Sequence, residues 1–319
     1  MVTSLPAAAD TLTFAQLSDP HLSSLTDVRW WQLANKRLLG YLSWSKRRRD
    51  IHDGKVLAAL QQDLDHTRPN HIVVTGDLTH IAMPDEFKQA RLWLESLGAA
   101  TDVSVIPGNH DAYLNSGWRH GWPQWQAFMA SDTASNSLFP SLRVRGPIAF
   151  IGLSSACASA PLCATGTLGA HQLARFEQFL QETGKAGLFR VVLIHHPPIP
   201  GSEKWRKRLT DGEEFCALVA KHGAELVLHG HRHRASQNSI ATTFGPASVF
   251  GIPSSSSNGN KSNELAQYYL YTVQRLEQHW QLDIAVQEYN RATRGFAHVR
   301  DIQIEVPRHA AVNVTESSQ

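Results

Sequence analysis

Short apolar runs alternate with amphipathic stretches through the first three-quarters of the chain. Runs rich in Val, Ile and Leu are typical of buried strands, whereas apolar positions three and four residues apart predict helices. The predicted strands are residues 12–18, 71–75, 102–106, 149–153, 190–194 and 225–228. Because helices are predicted between them, this alternation indicates an α/β fold with a largely parallel core and helices on its faces.

Residue types suited to helix ends accompany the helices predicted between these strands. The predicted helices are residues 55–66, 84–97, 171–183 and 212–222. Asp53 is the expected N-cap of the first helix, and Pro84 suits the first turn of the second. Gly184 and Gly223 follow the third and fourth helices, where a glycine C-cap is expected.

The sequence changes character after residues 254–263, a loop rich in Ser, Asn and Gly. Beyond it, residues 268–273, 282–287 and 299–306 are predicted to form antiparallel strands. The predicted organisation is a main domain (1–265) with an insertion (28–50), C-terminal strands that complete the second sheet (266–306), and a disordered tail (307–319).

The composition is that of a globular protein, with 42% hydrophobic and 18% charged residues among 319. A net charge of +2 gives no reason to expect nucleic acid as a partner. No apolar run approaches 18 residues, and the start of the chain lacks the features of a signal peptide. Three cysteines cannot all pair, which fits a reducing compartment. We therefore expect a cytoplasmic protein.

One residue type is unusually frequent, since the chain contains 17 histidines. Several of them follow predicted strands together with Asp or Asn. Asp19 and His21, two residues apart at the end of the first strand, point to the same side and can hold one metal ion. Gly76 permits a sharp turn after the second strand, which leaves Asp77 at the carboxyl edge of the sheet, where α/β proteins bind ligands. The carboxylate of Asp77 has two oxygens and can bridge two cations.

Asn109, His110 and Asp111 follow the third predicted strand. The amide oxygen of Asn109 suits a hard divalent cation. His110 is one residue further and should face elsewhere, with Asp111 available to orient its ring. An ordinary Asn/Gly turn is the alternative for this segment alone.

The last two strand ends carry histidines. His195 follows the strand at 190–194, while His231 and His233 follow the strand at 225–228 with the period-2 spacing that places side chains on one side. A surface cluster of histidines is the alternative interpretation of the last motif. We interpret His52, by contrast, as a surface or packing residue. Five strand ends that supply N and O ligands, without a thiolate, together indicate a metal site.

The motifs D-x-H, G-D, G-N-H-D, H-H-P-P and G-H-x-H occur in this order within residues 12–235. This series resembles the calcineurin-like metallophosphoesterases. The resemblance implies a four-layer α-β-β-α fold, in which two stacked mixed sheets are flanked by helices and the metals lie at one sheet edge. It also implies that residues 1–265 form the catalytic domain.

The resemblance assigns a role to each residue of the series. The first metal ion would be held by Asp19, His21 and His233, the second by Asn109, His195 and His231, with Asp77 bridging both. His110 matches the non-ligand catalytic histidine of the family, with Asp111 beside it. Ligands of this kind suit Mn, Fe or Zn. The implied reaction is hydrolysis of a phosphodiester or pyrophosphate by a metal-bridging hydroxide.

The substrate depends on residues 28–50, in which Trp, Tyr and Leu are interleaved with Arg and Lys. Such a segment suits an anionic amphiphile, a nucleic-acid strand or peripheral contact with the inner membrane surface, and the alternative is a packed helical hairpin. Three substrate classes remain: a small phosphodiester, a lipid-linked pyrophosphate such as UDP-diacylglucosamine of lipid A synthesis, and nucleic acid, which is the weakest. A non-catalytic protein-interaction scaffold on the same fold is the alternative to an enzyme.

Overall fold

The structure is a computed structural model that describes residues 10–22, 25, 28–114, 121–260 and 264–308. The strands are β1 (Thr11–Leu17), β2 (His71–Val74), β3 (Val103–Val105), β4 (Ser141–Arg145), β5 (Ile148–Gly152), β6 (Phe189–Leu193), β7 (Leu226–His229), β8 (Ser236–Ile240), β9 (Ala247–Gly251), β10 (Gln267–Arg275), β11 (His279–Asn290) and β12 (Gly295–Pro307). The α-helices are α1 (Arg37–Ser43), α2 (Gly54–Thr67), α3 (Pro84–Leu97), α4 (Gln126–Met129), α5 (Ala170–Lys185) and α6 (Gly212–His222). Of the predicted disordered tail, residues 309–319 lie outside the described residues.

In this part of the chain the strands form two six-stranded sheets. The first has the order β12-β11-β10-β1-β2-β3, and the second has the order β4-β5-β6-β7-β9-β8. Strands β1, β2 and β3 are mutually parallel, as are β5, β6, β7 and β9, while the remaining strands are antiparallel to their neighbours. Both sheets are therefore mixed, as predicted.

The two sheets pack face to face through aromatic side chains. Phe14 of the first sheet lies edge-on to Phe150 of the second, with 5.1 Å between ring centroids, and stacks on Tyr271 at 4.8 Å. Helices α2 and α3 contribute buried residues to this core, whereas α5 and α6 cover the second sheet through Phe176 and Phe215. The α-β-β-α arrangement is thus confirmed.

The helix predictions are correct except at one end. Asp53 caps α2 by accepting the backbone N–H of Lys55, and Gly223 ends α6 with a positive φ of 75°. Helix α5, however, continues through Gly184 to Lys185. A Cβ at Gly184 would come within 2.8 Å of Arg190 Nη1, so this glycine permits close approach of a guanidinium and does not end the helix.

The C-terminal strands extend the sheet that contains β1, β2 and β3. Strand β10 pairs antiparallel with β1, and β11 and β12 follow outward. The pairing fills the edge of β1 that the parallel β2 leaves open. Strands β4, β8 and β9 were not predicted; β8 is an exposed edge strand whose sequence, SQNSI, has little apolar pattern.

Residues 28–50, called the cap below, form a short 3₁₀ helix (Trp30–Leu33), α1 and one turn of π-helix (Trp44–Arg48). Leu33 and Trp44 are buried against Ile81 and Met83. Tyr41 packs against the same cluster and is partly buried. Five other large apolar side chains of the cap are exposed: Trp30, Trp31, Leu38, Leu39 and Leu42. The cap is therefore packed on one side and apolar on the other. None of the helices in the described ranges is long and apolar enough to cross a membrane.

Candidate metal centre

The site lies where the carboxyl ends of β1, β2, β3, β6 and β7 meet. Backbone hydrogen bonds hold the first two loops together, because Asp19 N–H donates to the Gly76 carbonyl at 2.9 Å and His21 N–H to the Asp77 carbonyl at 3.2 Å. Parallel strands place their following loops at one edge of each sheet, and the packing of the two sheets brings the loops after β1, β2 and β3 next to those after β6 and β7.

The first group of possible ligands is Asp19, His21, Asp77 and His233, whose ligand atoms all lie within 4.8 Å of one another. His21 Nε2 is 3.4 Å from His233 Nε2 and 4.0 Å from Asp77 Oδ2. His233 Nε2 is also 3.1 Å from Asp19 Oδ1. The structure thus brings together all of the residues that the sequence assigned to the first metal ion.

The second group is Asp77, His195 and His231, again with ligand atoms within 4.8 Å of one another. His195 Nε2 lies 3.3 Å from Asp77 Oδ2. Asn109 joins this group, because its Oδ1 is 2.8 Å from His231 Nδ1 and 3.3 Å from His195 Nε2. Asp77 belongs to both groups, which is the position that a bridging carboxylate requires.

Backbone carbonyls fix the orientation of two of the imidazoles. His21 donates its Nδ1 proton to the carbonyl of Thr79 at 2.9 Å, and His195 donates its own to the carbonyl of Thr75 at 2.7 Å. A carbonyl only accepts, so Nδ1 carries the proton and Nε2 is directed into the site. Metal-binding histidines are commonly oriented by such second-sphere bonds.

The donor set fits a pair of metal ions. The atoms that face one another are imidazole nitrogens and carboxylate or amide oxygens, which repel one another unless a proton or a cation lies between them. Asp19 Oδ1 is buried, and although His233 Nε2 lies 3.1 Å away, no described residue forms a hydrogen bond of acceptable geometry with this oxygen. A buried carboxylate oxygen in that state is costly unless a cation neutralises it. We therefore conclude that the residues can hold metal ions.

Electrostatics within the site favour a cation. Burial and neighbouring histidines lower the pKa of His21 and of His231 well below the ordinary value, which keeps both rings neutral. Burial opposes ionisation of Asp77, but His195 and His110 hold the pKa of its carboxyl well below its usual range. Burial also opposes protonation of His195, but Asp77 outweighs it and raises the pKa of His195 to about 9. A proton thus occupies the place between these two groups that a metal ion would take.

The backbone of the site is left-handed at many of the ligand positions. The φ angles are +49° at Asp19, +43° at His21, +58° at Asp77, +69° at His231 and +52° at His233. Non-glycine residues seldom adopt this region, and such residues are concentrated at functional sites. The conformation turns the side chains of neighbouring loops toward a common point.

His110 lies next to the ligands without joining either group. Its backbone N–H donates to Asp77 Oδ1 at 2.8 Å, while its ring Nδ1 lies 2.5 Å from the carbonyl oxygen of His80. The prediction that Asp111 orients this ring is wrong. The carboxylate of Asp111 is buried and accepts backbone N–H groups of Leu78, Thr79 and Gly108, because adjacent side chains on this turn diverge.

Two histidines beside the site were not assigned to it from the sequence. His80 stacks on His21 with 4.9 Å between ring centroids, and its carbonyl holds His110. His52, interpreted from the sequence as a surface or packing residue, forms a third possible ligand group with His21 and His233. His52 follows no strand of the core, and His80 lies six residues beyond the end of β2, so neither occupies the strand-end position that identified the other residues.

Comparison with known proteins agrees with this geometry. The family model described as calcineurin-like phosphoesterase matches residues 12–235, which is most of the chain. A probable cyclic nucleotide phosphodiesterase of Synechococcus sp. is 29% identical over 251 residues, which cover 76% of this chain and 82% of the relative. The glycerophosphodiester phosphodiesterase of Enterobacter lignolyticus is 26% identical over 259 residues, covering 76% and 79%.

A solved structure supports the fold assignment. A dimetal phosphatase from Danio rerio superimposes with a TM-score of 0.58, covering 92% of this chain and 99% of that one at 13% identity. At that identity the likeness concerns the fold alone.

The chain belongs to the calcineurin-like phosphoesterase family. It is an enzyme, a metal-dependent hydrolase of phosphate esters. The scaffold alternative is therefore set aside.

Proposed function

We propose that this enzyme hydrolyses small phosphodiesters with two metal ions, each drawn from Mn, Fe or Zn. The observation that carries the proposal is the place of Asp77, which is shared by two groups of N and O ligands. Two relatives of the chain, named as cyclic nucleotide and glycerophosphodiester phosphodiesterases, support the diester as the substrate class.

The ligand residues would hold the ions as the sequence predicted. Asp19, His21 and His233 would hold the first ion, Asn109, His195 and His231 would hold the second, and Asp77 would serve both. When bound, the ions supply an activated water and offset the negative charge of the phosphate oxygens. The buried second sphere around these residues keeps the ligand atoms in place.

His110 is positioned to act on the leaving group. Its Nδ1 proton is committed to the His80 carbonyl, so Nε2 is the atom that exchanges a proton with a leaving oxygen. Tyr113 stacks on the ring, with 5.9 Å between centroids and 22° between planes, and restricts its rotation. A ring that also carries a proton on Nε2 would give that proton to the leaving alkoxide as the P–O bond breaks, and would end as the neutral tautomer with its remaining proton on Nδ1.

A cavity of about 220 Å³ opens beside Asn109 and His110 and is lined by Leu39, Tyr113 and Leu162. Binding sites for drug-sized ligands are usually about 300–1,000 Å³. A cavity of this volume accommodates a glycerol or part of a nucleoside but not a pair of acyl chains. The volume of the cavity therefore suits the leaving group of a small diester.

The test is a product assay with cAMP, glycerophosphodiesters and UDP-2,3-diacylglucosamine, alongside bis-(p-nitrophenyl) phosphate. We expect turnover of at least one small diester, loss of that turnover on chelation, and recovery with Mn²⁺ or a similar ion. A reconstituted enzyme that leaves all diesters intact would contradict the proposal.

A lipid-linked pyrophosphate is the second candidate, because the cap exposes apolar side chains beside the cavity. Trp30 is 78% exposed, and Leu38, Leu39 and Leu42 are also accessible on α1. Acyl chains could lie on this surface without entering the cavity. The same surface would give peripheral contact with the inner membrane. Preferential cleavage of UDP-2,3-diacylglucosamine in the product assay would favour this candidate.

A further inference from the structure

His52 occupies a position between the cap and α2 that places it against the metal centre. Its Nδ1 lies 2.7 Å from the hydroxyl of Ser256, and its backbone forms an isolated β-bridge with Ser257. The next residue, Asp53, donates its backbone N–H to the Ser256 carbonyl at 3.0 Å. The loop that carries His52 is therefore fixed at successive points along the serine run, residues 254–257.

The serine run also fixes the first ligand loop. Ser254 Oγ donates to the carbonyl of Asp19 at 2.7 Å, and Ser255 N–H donates to the carbonyl of Ser18 at 2.8 Å. Ser18 N–H returns a hydrogen bond to Ser255 Oγ at 2.9 Å. His52 and Asp19 are thus held on one rigid support, although the sequence separates them by the whole cap.

The ring of His52 faces the first ligand group. Its centroid is 4.5 Å from that of His21 and 5.8 Å from that of His233. The ligand atoms of these three residues lie within 4.8 Å of one another. Because Nδ1 is engaged with Ser256, Nε2 is the atom on the side away from the serine run. This resembles the second-sphere arrangement that directs His21 and His195 into the site.

We propose that His52 is a further protein ligand of the metal ion held by Asp19, His21 and His233. This inference rests on the proposed two-metal function. It makes the centre asymmetric, since the first ion gains an imidazole that the second lacks. An additional protein ligand would leave fewer coordination positions for water on the first ion, which would therefore bind more tightly. Its main role would be to stabilise the site and to offset negative charge. Exchangeable positions are then concentrated on the second ion, beside His110 and the cavity.

The test uses cobalt in place of the native metals, because the visible absorption of Co²⁺ reports its coordination geometry. Wild type, His52→Ala and His52→Gln are compared by metal content, affinity and spectrum. His66→Ala is the matched control, since His66 is an exposed histidine of α2 whose Nδ1 bonds the Gln62 carbonyl. We expect both His52 variants to bind one of the two ions about tenfold or more weakly, a range typical of lost support at metal sites.

Histidine-selective ¹⁵N labelling of the cobalt-loaded wild type counts the coordinated imidazoles without any substitution. The proposal requires His52 to be shifted together with His21, His195, His231 and His233. A wild type that binds two ions but shifts only the other four, or variants with an unchanged cobalt spectrum, overturns the role of His52 alone. A wild type that takes up no metal overturns the proposed function as well.

Discussion

His110 donates its Nδ1 proton to the carbonyl oxygen of His80, with 2.5 Å between the two atoms. That carbonyl is itself held in place, because the Glu86 carboxylate accepts the backbone N–H groups of His80 at 2.6 Å and Ile81 at 3.1 Å. The tautomer and orientation of the His110 ring are thereby set by the loop between β2 and α3.

Replacing His110 with Ala should leave the metal content unchanged and lower kcat, because the side chain belongs to neither ligand group. Loss of a general acid typically costs about 10²–10⁴-fold. The loss should be larger for an alkyl leaving group than for p-nitrophenolate, which needs little protonation. Steady-state kinetics on both substrates measure this, with His66→Ala as the control. Equal losses on the two substrates would exclude the acid role.

Replacing Asp77 with Ala should remove both metal ions at once, because its carboxylate serves both ligand groups. Activity should fall to that of the chelated wild type. Elemental analysis after reconstitution is the measurement, and Asp85→Ala, an exposed carboxylate in the first turn of α3, is the control. An Asp77→Ala protein with wild-type metal content and activity would refute the bridging role.

Gly108 has no room for a side chain, since a Cβ there would collide with Asp77 Oδ1 and approach the Asp77 backbone nitrogen to 2.5 Å. Gly108→Ala should therefore displace Asp77 and weaken metal binding, and overpacking should lower stability by about 1–3 kcal/mol. Gly54→Ala is the matched control, because a Cβ at Gly54 meets nothing within 4 Å. Calorimetric metal titration and thermal unfolding distinguish the two variants; similar behaviour of both would argue against the steric account.

His71 lies in the core of the first sheet, away from the ligands, where its Nε2 is 2.8 Å from Ser104 Oγ. Burial, with smaller contributions from Arg145 and Arg143, lowers the pKa of His71 to about 3. The unfolded chain, with a pKa of about 6.5 for histidine, therefore binds the proton that the folded state excludes. The contribution of His71 to the free energy of unfolding is complete above a pH of about 6.5 and declines as the pH falls toward 3.

His71→Gln retains a hydrogen-bonding group but does not titrate. Between about pH 7.5 and 5, the free energy of unfolding of the wild type should fall by about 2 kcal/mol more than that of the variant. Urea unfolding of both proteins in the presence of a chelator gives the difference, since the other histidines then contribute equally. If the free energies of unfolding of the two proteins had the same pH dependence, His71 would bind a proton equally well in the folded and unfolded states, which would contradict the prediction.

The cap should bind anionic membranes if the second candidate function is correct, because its sequence adds the basic run 46–49 to the exposed apolar side chains. Each basic residue near such a surface contributes about 1 kcal/mol. Replacing Arg47, Arg48 and Arg49 with Ser should then weaken co-sedimentation with anionic liposomes by about 100-fold. Hydrolysis of bis-(p-nitrophenyl) phosphate should be unchanged. Equal co-sedimentation of the wild type with anionic and neutral liposomes would contradict this prediction and would assign the apolar surface to another role.

The ligand series could be predicted because each of its members follows a strand of the core. Asp77 and His195 lie 118 positions apart in the sequence and follow strands of different sheets, yet the packing of the two sheets brings Asp77 Oδ2 within 3.3 Å of His195 Nε2. The orientation of the individual histidine rings could not be predicted from the sequence, because it depends on which backbone carbonyl each turn places beside the ring. Asp111 was therefore given the role that the His80 carbonyl performs.

Other features depend on contacts between distant segments and leave no local pattern. His52 reaches the site only because the serine run pairs with its backbone. Gly184 has the sequence position of a helix C-cap, but the packing of Arg190 determines its role. The polar edge strand β8 forms by pairing with β9, and its sequence lacks the alternating apolar residues from which a strand is predicted.

The left-handed backbone at Asp19, His21, Asp77, His231 and His233 has an evolutionary consequence. An L-residue in that region costs about 1 kcal/mol or more, whereas glycine adopts it freely. Replacing Asp19 or His233 with Gly would therefore relieve strain in the apoprotein while abolishing its chemistry. Stability alone thus favours losing this site, and only selection for turnover keeps it. Descendants released from that selection should drift first at these positions, and should become harder to unfold as they do.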